Sequence, residues 1–367
     1  MSLSRGLALA LLVVAACGGT DPDTSVEAAG AFAVGTAHVT LTDTARSRDL
    51  STQIWYPATA DAAAAATTGF PIEQLEDEPR RTTYAGLLAA APACPTRTAH
   101  AALGAAPAAG SFPLVMFSHC HNCTRFSEMT VAERLASHGF VVVAVDHQGN
   151  TVYDHLDGHD EALDTPYLMT RAADIRYALD QVLAGTAPIP ADVAATVDPT
   201  RVGMFGHSFG GVTAGLVAQD DSRIKASLAI AAPMDNPLIP GVMIENLHVP
   251  LMFIVAVEDN SITEIGNKFI RKNFDEAVAP AWKIEVADAG HWSFSDVDGA
   301  ADIFMPGCGP AIRQTDGTDF TYLDPATGRG IAAAYVTAFF QATLTDDEGA
   351  RAYLMSGRLT GVTAASR

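Results

Sequence analysis

A serine at the centre of a G-x-S-x-G pentapeptide is the residue of this sequence best suited to chemistry. The pentapeptide covers residues 206–210 and places Ser208 in the middle. A short apolar run, 201–205, precedes it, and a helix-forming stretch, 210–219, follows it. A tight strand-to-helix turn holds such a serine at strained backbone angles and projects its hydroxyl into a cleft, while the flanking glycines relieve crowding. Ser208 is therefore predicted to be a nucleophile.

A serine hydroxyl becomes reactive when a histidine takes its proton and a carboxylate orients that histidine. In the fold built on this turn, the chain order is serine, acid, histidine. The apolar run 249–257 is typical of a strand buried on both faces, and it ends in Glu258 and Asp259. Asp259 is the predicted acid and Glu258 the alternative, since neighbouring loop positions look alike in sequence. His291 follows the next strand-like run, 283–287, and is the predicted base.

The reaction also needs two hydrogen-bond donors for the charge that develops on the attacked carbonyl oxygen. The backbone N–H of Phe209, directly after the nucleophile, is the first predicted donor. The second is expected on the loop after an early strand, and the N–H of His121 after the run 113–118 is predicted. The sequence has 11 histidines in all. Those other than His291 precede or adjoin the serine or lack a strand-end position, so they are predicted to be structural.

With these residues in place, the chain resembles the platelet-activating-factor acetylhydrolase and dienelactone-hydrolase-like branch of the α/β-hydrolases, to which bacterial polyester hydrolases are related. The resemblance covers most of the chain after residue 34. Besides the serine motif, it is carried by Ile54-Trp55-Tyr56-Pro57, Phe117-Ser118-His119, Asp146-His147-Gln148-Gly149-Asn150, Arg171-Ala172-Ala173-Asp174-Ile175 and Gly290-His291-Trp292-Ser293-Phe294.

The resemblance implies that Ser208, Asp259 and His291 form a triad, with the N–H groups of Phe209 and His121 as oxyanion donors. It implies no metal and no organic cofactor. One position departs from the pattern, because Cys120 stands where relatives usually carry glycine. The cysteine side chain narrows the conformations open to this loop.

The elements that must position these residues alternate between strand-like and helix-like runs. This alternation predicts one α/β domain over 35–367, with a mostly parallel central sheet and helices on both faces. An edge hairpin is predicted over 39–57, and an insertion rich in alanine and proline near 61–110. The loops 146–168 and 234–248 are expected beside the cleft. Further helices are predicted over 130–137, 170–183, 265–273 and 330–343.

Composition excludes two classes of protein. Apolar residues make up 49% of the chain, which argues against disorder. The formal net charge of −20 leaves no basic footprint for phosphates, so a nucleic-acid partner is not expected. The acidity is interpreted as a solvated surface suited to an extracellular setting.

The first residues predict export. Arg5 precedes an apolar run, 7–14, that is too short to span a bilayer. The run leads into Val14-Ala15-Ala16-Cys17, a bacterial lipobox in which Cys17 would be lipidated. Residues 1–16 are thus predicted to be a lipoprotein signal peptide and 17–34 a flexible tether, which places the protein on the cell envelope with a membrane anchor. The alternative is an ordinary secreted protein.

The remaining cysteines predict disulfides, because an exported chain with an even number favours pairing. They are Cys94, Cys120, Cys123 and Cys308. A pair between Cys120 and Cys123 would close a small loop and leave Cys94 for Cys308. The alternative is a zinc site that also uses His119 and His121, but four ligands on one short loop make tetrahedral geometry difficult.

Together these patterns predict a serine-dependent carboxylic ester hydrolase that acts through an acyl-enzyme on a short-acyl lipid, a polyester or a small ester. One alternative is a cell-surface binding protein that keeps the scaffold without turnover. Another is a peptidase or thioesterase of the same fold. The sequence does not indicate an oligomeric state.

Overall fold

The computed structural model describes residues 20–66, 69–90 and 97–367. Its strands are β1 Ala33–Asp43, β2 Arg48–Ala58, β3 Phe70–Pro71, β4 Thr98–Ala99, β5 Ala102–Leu103, β6 Phe112–Ser118, β7 Val141–Val145, β8 Val197–His207, β9 Ile224–Ile230, β10 Leu251–Ala256, β11 Ala281–Val286, β12 Pro310–Ile312, β13 Asp319–Thr321 and β14 Val362–Ser366. Its α-helices are α1 Ala62–Ala66, α2 Arg80–Ala90, α3 Met129–Ser137, α4 Val152–Leu156, α5 Thr165–Ala184, α6 Ala191–Ala194, α7 Phe209–Asp220, α8 Thr263–Glu276, α9 Pro325–Leu344 and α10 Glu348–Leu354. Short 3-10 helices cover Thr24–Glu27, Ile72–Leu75, Ile244–Asn246 and Asp302–Phe304.

Within the described residues, the main sheet has ten strands in the order β14-β11-β10-β9-β8-β6-β7-β2-β1-β5. The block from β11 to β7 is parallel throughout. The hairpin of β1 and β2 joins β7 in antiparallel fashion, as does β14 with β11 at the other side. The predicted α/β class with a mostly parallel sheet is therefore confirmed.

The sheet is covered on both faces because its central strands are apolar on both faces. In β7, Val142 and Ala144 belong to one core cluster, while Val141, Val143 and Val145 belong to the other. The first cluster includes residues of α3 and α9, and the second includes residues of α5 and α7. β-Branched residues pack well on such a pleated, doubly buried surface. The loops at the carboxyl ends of these strands are thus left as the place for a site.

The predicted tether over 17–34 is wrong for the part that the structure describes. Val26 is buried and belongs to the same core cluster as α3 and α9, and β1 already begins at Ala33. The backbone N–H of Gly30 donates to Ser137 Oγ at 2.9 Å. Buried Val26, several backbone hydrogen bonds, the packing of Phe32 on Phe112 and an ion pair between Glu27 and Arg358 at 2.8 Å hold this segment. The polar composition of the segment gives no indication of these contacts.

The loops that were expected beside the cleft contain structure of their own. The loop 146–168 includes α4, which begins at a capping box formed by Thr151 and Asp154. The insertion near 61–110 includes α1, α2 and the small β3–β4 pair.

The closing strand β14 was not predicted. Among the described helices, none combines the length and the apolar character that a bilayer-spanning helix requires.

Candidate active site

Ser208 lies on a sharp turn between β8 and α7. Its backbone angles are φ 53° and ψ −122°, a strained conformation of positive φ that residues other than glycine seldom adopt. A Cβ atom on Gly206 would overlap the carbonyl of Gly210, and one on Gly210 would overlap the carbonyl of Ser118. The two glycines of the motif are therefore needed because backbone segments meet there without room for a side chain.

Asp259 and His291 meet on the loops that follow β10 and β11. Asp259 Oδ2 lies 2.7 Å from His291 Nδ1, and both side chains are fully buried. Asp259 Oδ1 accepts hydrogen bonds from the N–H groups of Ser261 at 2.9 Å and Ile262 at 2.8 Å. The carboxylate is thus held from the side opposite the imidazole. Its contact calls for a proton on Nδ1, which leaves Nε2 as a proton acceptor.

The alternative acid, Glu258, is turned away from His291. Its Oε1 accepts a hydrogen bond from Arg313 at 2.8 Å, and its Oε2 accepts one from the N–H of Gln314 at 3.3 Å. The structure therefore separates two residues that are neighbours in sequence: Asp259 contacts the histidine, and Glu258 pairs with a residue of the segment that follows β12.

His291 is tied to the turn that carries Ser208. His207, the residue before the serine, has its Nε2 3.0 Å from the carbonyl oxygen of His291. Among the described residues, His291 Nε2 is buried and has no hydrogen-bond partner. Catalytic hydrogen bonds are often long in unliganded enzymes and shorten when substrate binds. Ser208 and Trp292, the residue after His291, line the same cavity.

A buried carboxylate behind this turn was not predicted. Glu128 Oε1 lies 2.8 Å from His207 Nδ1, and both side chains are fully buried. The rings of His207 and His291 have centroids 5.0 Å apart. Glu128 therefore supports the histidine that contacts His291. A glutamate in front of a helix signals nothing about so distant a partner.

The two predicted oxyanion donors lie on that same cavity. Phe209 is the first residue of α7, so its N–H has no partner one turn earlier in the helix. His121 follows β6, and its ring is 6.4 Å from the Phe209 ring. No described residue accepts a hydrogen bond from the backbone N–H of His121. Both donors are thus free to bind a ligand oxygen.

Arg171 links the end of β6 to α7, a role that sequence reasoning missed. Its buried guanidinium donates to Ser118 Oγ at 3.0 Å and to the carbonyl of His119. It also lies 4.7 Å above the Phe209 ring. Burial lowers the pKa of Arg171 to about 9, so it stays charged at neutral pH. Burial, together with this positive charge, lowers the pKa of His121 to about 4 and keeps that imidazole neutral.

The loop that carries His121 is closed by a disulfide between Cys120 and Cys123, with Cα atoms 5.2 Å apart. Both sulfurs are used in this bond, so the zinc alternative loses its thiolate ligands. The other predicted pair includes Cys94, and the predicted lipidation site is Cys17. Both lie outside the described residues.

The cavity in front of Ser208, called here the Ser208 cavity, has a volume of about 470 Å³. Its described lining has no Asp, Glu, Lys or Arg side chain. Leu163 and Leu238 reach it from the two loops that were expected near the cleft. The rest of its apolar lining includes Phe209, Val212, Ile239, Ile262, Ile265, Phe269, Trp292 and Ile303. Such a cavity suits an uncharged, apolar ligand.

Two models of known protein families match this sequence. The model described as PET hydrolase-like matches residues 115–298, half of the chain. The model of platelet-activating factor acetylhydrolase, isoform II, matches residues 19–157.

Two of the similar curated proteins are named as a lipase and as an esterase. Lipase 1 of Moraxella sp. (strain TA144) is 30% identical over 159 residues, which are 43% of this chain and 41% of that protein. A probable 1-alkyl-2-acetylglycerophosphocholine esterase of Arthroderma benhamiae is 26% identical over 257 residues, 65% of this chain and 62% of that protein. The chain thus spans less than two thirds of the length of the curated relatives it matches.

A solved structure of a ferulic acid esterase from Streptomyces cinnamoneus superimposes with a TM-score of 0.63. The match covers 90% of this chain and 94% of that chain at 24% sequence identity. At this identity the likeness concerns the fold, and it confirms the predicted α/β-hydrolase fold.

Proposed function

Because the chain belongs to the PET hydrolase-like family, we propose that it is a serine-dependent carboxylic ester hydrolase. The observation that carries the proposal is the buried pair of Asp259 and His291, 2.7 Å apart, beside the strained turn of Ser208. A histidine oriented by a carboxylate next to an elbow serine is the arrangement that activates a hydroxyl for acyl transfer.

The proposed reaction has two halves. Ser208 Oγ attacks the ester carbonyl while His291 Nε2 takes the hydroxyl proton, and the N–H groups of Phe209 and His121 donate to the resulting oxyanion. The imidazolium then gives the proton to the leaving alcohol as the carbon–oxygen bond breaks, which leaves an acyl-enzyme. Water then attacks this ester while His291 takes its proton, and the imidazolium gives that proton to Ser208 Oγ as the acyl bond breaks, which releases the acid and restores the serine. Throughout, Asp259 holds the imidazole tautomer and stabilises its charged form.

The lining of the Ser208 cavity supports a substrate that is uncharged in the part that enters the cavity. A carboxylate or phosphate of the substrate that entered the cavity would lose its hydration without gaining a cationic partner. Burying even a neutral polar group without a hydrogen bond costs roughly 2–7 kcal/mol, and burying an unpaired charge costs more. Polyesters and small apolar esters meet this condition, and the name of one relative, a lipase, agrees with it. A short-acyl lipid meets it when its acyl chain enters the cavity and a charged headgroup, such as the phosphocholine in the name of another relative's substrate, stays in solvent.

Labelling with a fluorophosphonate probe tests the proposal. The probe phosphonylates a serine that a neighbouring base activates, with fluoride as the leaving group, so one label per chain is expected, on the peptide that contains Ser208. The Ser208→Ala variant is the matched control and should take up none. A binding protein on the same scaffold would leave the wild type unlabelled. Rates on p-nitrophenyl butyrate and on the matched thioester and anilide then separate an esterase from a thioesterase or a peptidase.

We further propose that the protein is anchored to the cell envelope through a lipid on Cys17. The lipobox at residues 14–17 supports this, as does the net charge of −20, which gives the domain little attraction to an anionic membrane. Acyl chains contribute about 0.8 kcal/mol per buried methylene, and more than one chain is needed for lasting attachment.

Replacing Cys17 by serine should release the protein from the membrane fraction. In a bacterial host, the wild type is expected to incorporate labelled fatty acid and partition into detergent, and Cys17→Ser is expected to do neither. A chain that starts at residue 20 keeps the segment around Val26 and should be active without the anchor. Recovery of an unlipidated wild type cleaved away from the Ala16–Cys17 bond would instead identify an ordinary secreted protein.

A further inference from the structure

The disulfide between Cys120 and Cys123 forms a ring that encloses only His121 and Asn122. Both enclosed residues line the Ser208 cavity, and both cysteines are fully buried. Resting on the proposed function, we infer that this disulfide is a positioning element for catalysis: it holds the N–H of His121 where the oxyanion develops. The disulfide touches neither substrate nor reacting atoms in this role and acts through His121.

The chain before the ring is held by buried hydrogen bonds. His119 Nδ1 donates to the carbonyl of Cys120 at 2.7 Å, and His119 Nε2 accepts from the N–H of His147 at 3.0 Å. Arg171 donates to the carbonyl of His119. These contacts anchor the backbone up to the first cysteine and no further.

The chain after the ring is held by α4. The N–H of Val152 donates to the carbonyl of Cys123 at 3.1 Å, and Cys123 forms an isolated parallel bridge with Thr151. Thr151 is the N-cap of α4. The second cysteine is therefore as firmly placed as the first, and the two residues between them span the gap.

The span itself is weakly held by its backbone. Across the ring, the N–H of Cys123 donates to the carbonyl of Cys120 at 3.3 Å, near the long limit for such a bond. Asn122 has φ 56°, a left-handed conformation that asparagine adopts more readily than most residues with a side chain. Its Nδ2 donates to Asp160 Oδ2 at 3.1 Å, and its Oδ1 accepts from Asn150 Nδ2 at 3.2 Å. Asn150 Nδ2 lies 2.6 Å from His121 Nδ1, but this contact restrains the ring of His121 and not its N–H. The hydrogen bonds with Asn150 restrain the side chains of His121 and Asn122, whereas the covalent bond closes the backbone that carries the His121 N–H.

Opening the ring should reduce turnover more than binding. A preorganised oxyanion donor contributes about 10²–10³ in kcat, so a donor that is free to move should cost about tenfold or more. KM should change little, because ground-state contacts come from the apolar lining of the Ser208 cavity. A disulfide that only stabilised the fold would instead lower the melting temperature and leave kcat unchanged.

The test compares Cys120→Ala, Cys123→Ala and the double variant on p-nitrophenyl butyrate. Each single change opens the same ring, so the three variants should lose kcat equally instead of additively. Binding of a trifluoromethyl ketone, whose hemiketal oxyanion occupies the same site as the reaction's, should weaken in proportion to the loss in kcat/KM. Wild type and all three variants should still label with the fluorophosphonate probe at Ser208.

A double variant that keeps kcat within about twofold of the wild type would overturn the inference, as would losses that add between the single variants. If the double variant does not fold, wild type treated with dithiothreitol replaces it. There the disulfide becomes two thiols as the reagent becomes its cyclic disulfide, and alkylation maps the thiols to Cys120 and Cys123. An unchanged kcat in that reduced enzyme overturns the inference too. An unlabelled wild type would instead show that the proposed function has failed, and the inference with it.

Discussion

The Ser208→Ala variant is expected to fold normally and to lose ester hydrolysis almost completely. Removing the triad serine of a well-studied hydrolase costs on the order of a million-fold in kcat, because no other group can form the acyl-enzyme. Alanine has the same Cβ as serine, so the backbone at φ 53° is no more strained than before. Initial rates on p-nitrophenyl butyrate measure the loss, and circular dichroism and the melting temperature check the fold.

The residual activity of the Ser208→Ala variant shows whether Ser208 is the nucleophile. The cavity and the N–H donors of Phe209 and His121 remain in the variant, so a residual rate about 10³–10⁴-fold above that in water is expected. A variant that retains more than about a tenth of wild-type turnover would show that another residue attacks the ester, since a lost nucleophile costs several orders of magnitude.

The Asp259→Asn variant is expected to keep its structure and lose roughly four orders of magnitude in kcat, as in the analogous change in a serine protease. An asparagine amide can donate to His291 Nδ1, which favours the tautomer with the proton on Nε2. That nitrogen can then no longer take the proton of Ser208. The measurement is the dependence of kcat on pH, compared with the wild type.

Glu258→Gln is the matched control, since it makes the same chemical change at the adjacent position. Glu258 is buried and contacts Arg313 and not His291, so the variant is expected to lose stability through the weakened ion pair but to keep kcat within a few-fold. If Glu258→Gln were the more damaging of the two, the acid would have to be reassigned to Glu258.

The sequence by itself determined the features that depend on local sterics and on periodicity. Gly206 and Gly210 indicate the turn of Ser208, because a side chain at either position would overlap a neighbouring backbone carbonyl. Uninterrupted apolar runs indicate the central strands, because every side chain of a strand that is buried on both faces lies in the core. The places of Asp259 and His291 then follow from chain order along the sheet.

Only the tertiary structure decided which of two adjacent carboxylates contacts His291. A loop can direct neighbouring side chains to opposite sides, and the direction depends on partners far along the chain, here Arg313 for Glu258. The pairing of Glu128 with His207 and the docking of Val26 have the same origin. Local sequence patterns indicate the chemistry and the secondary structure that each residue favours. Which residues are buried and which side chains pair depends on segments that are distant in sequence, because these contacts form only when the segments pack together in the folded chain.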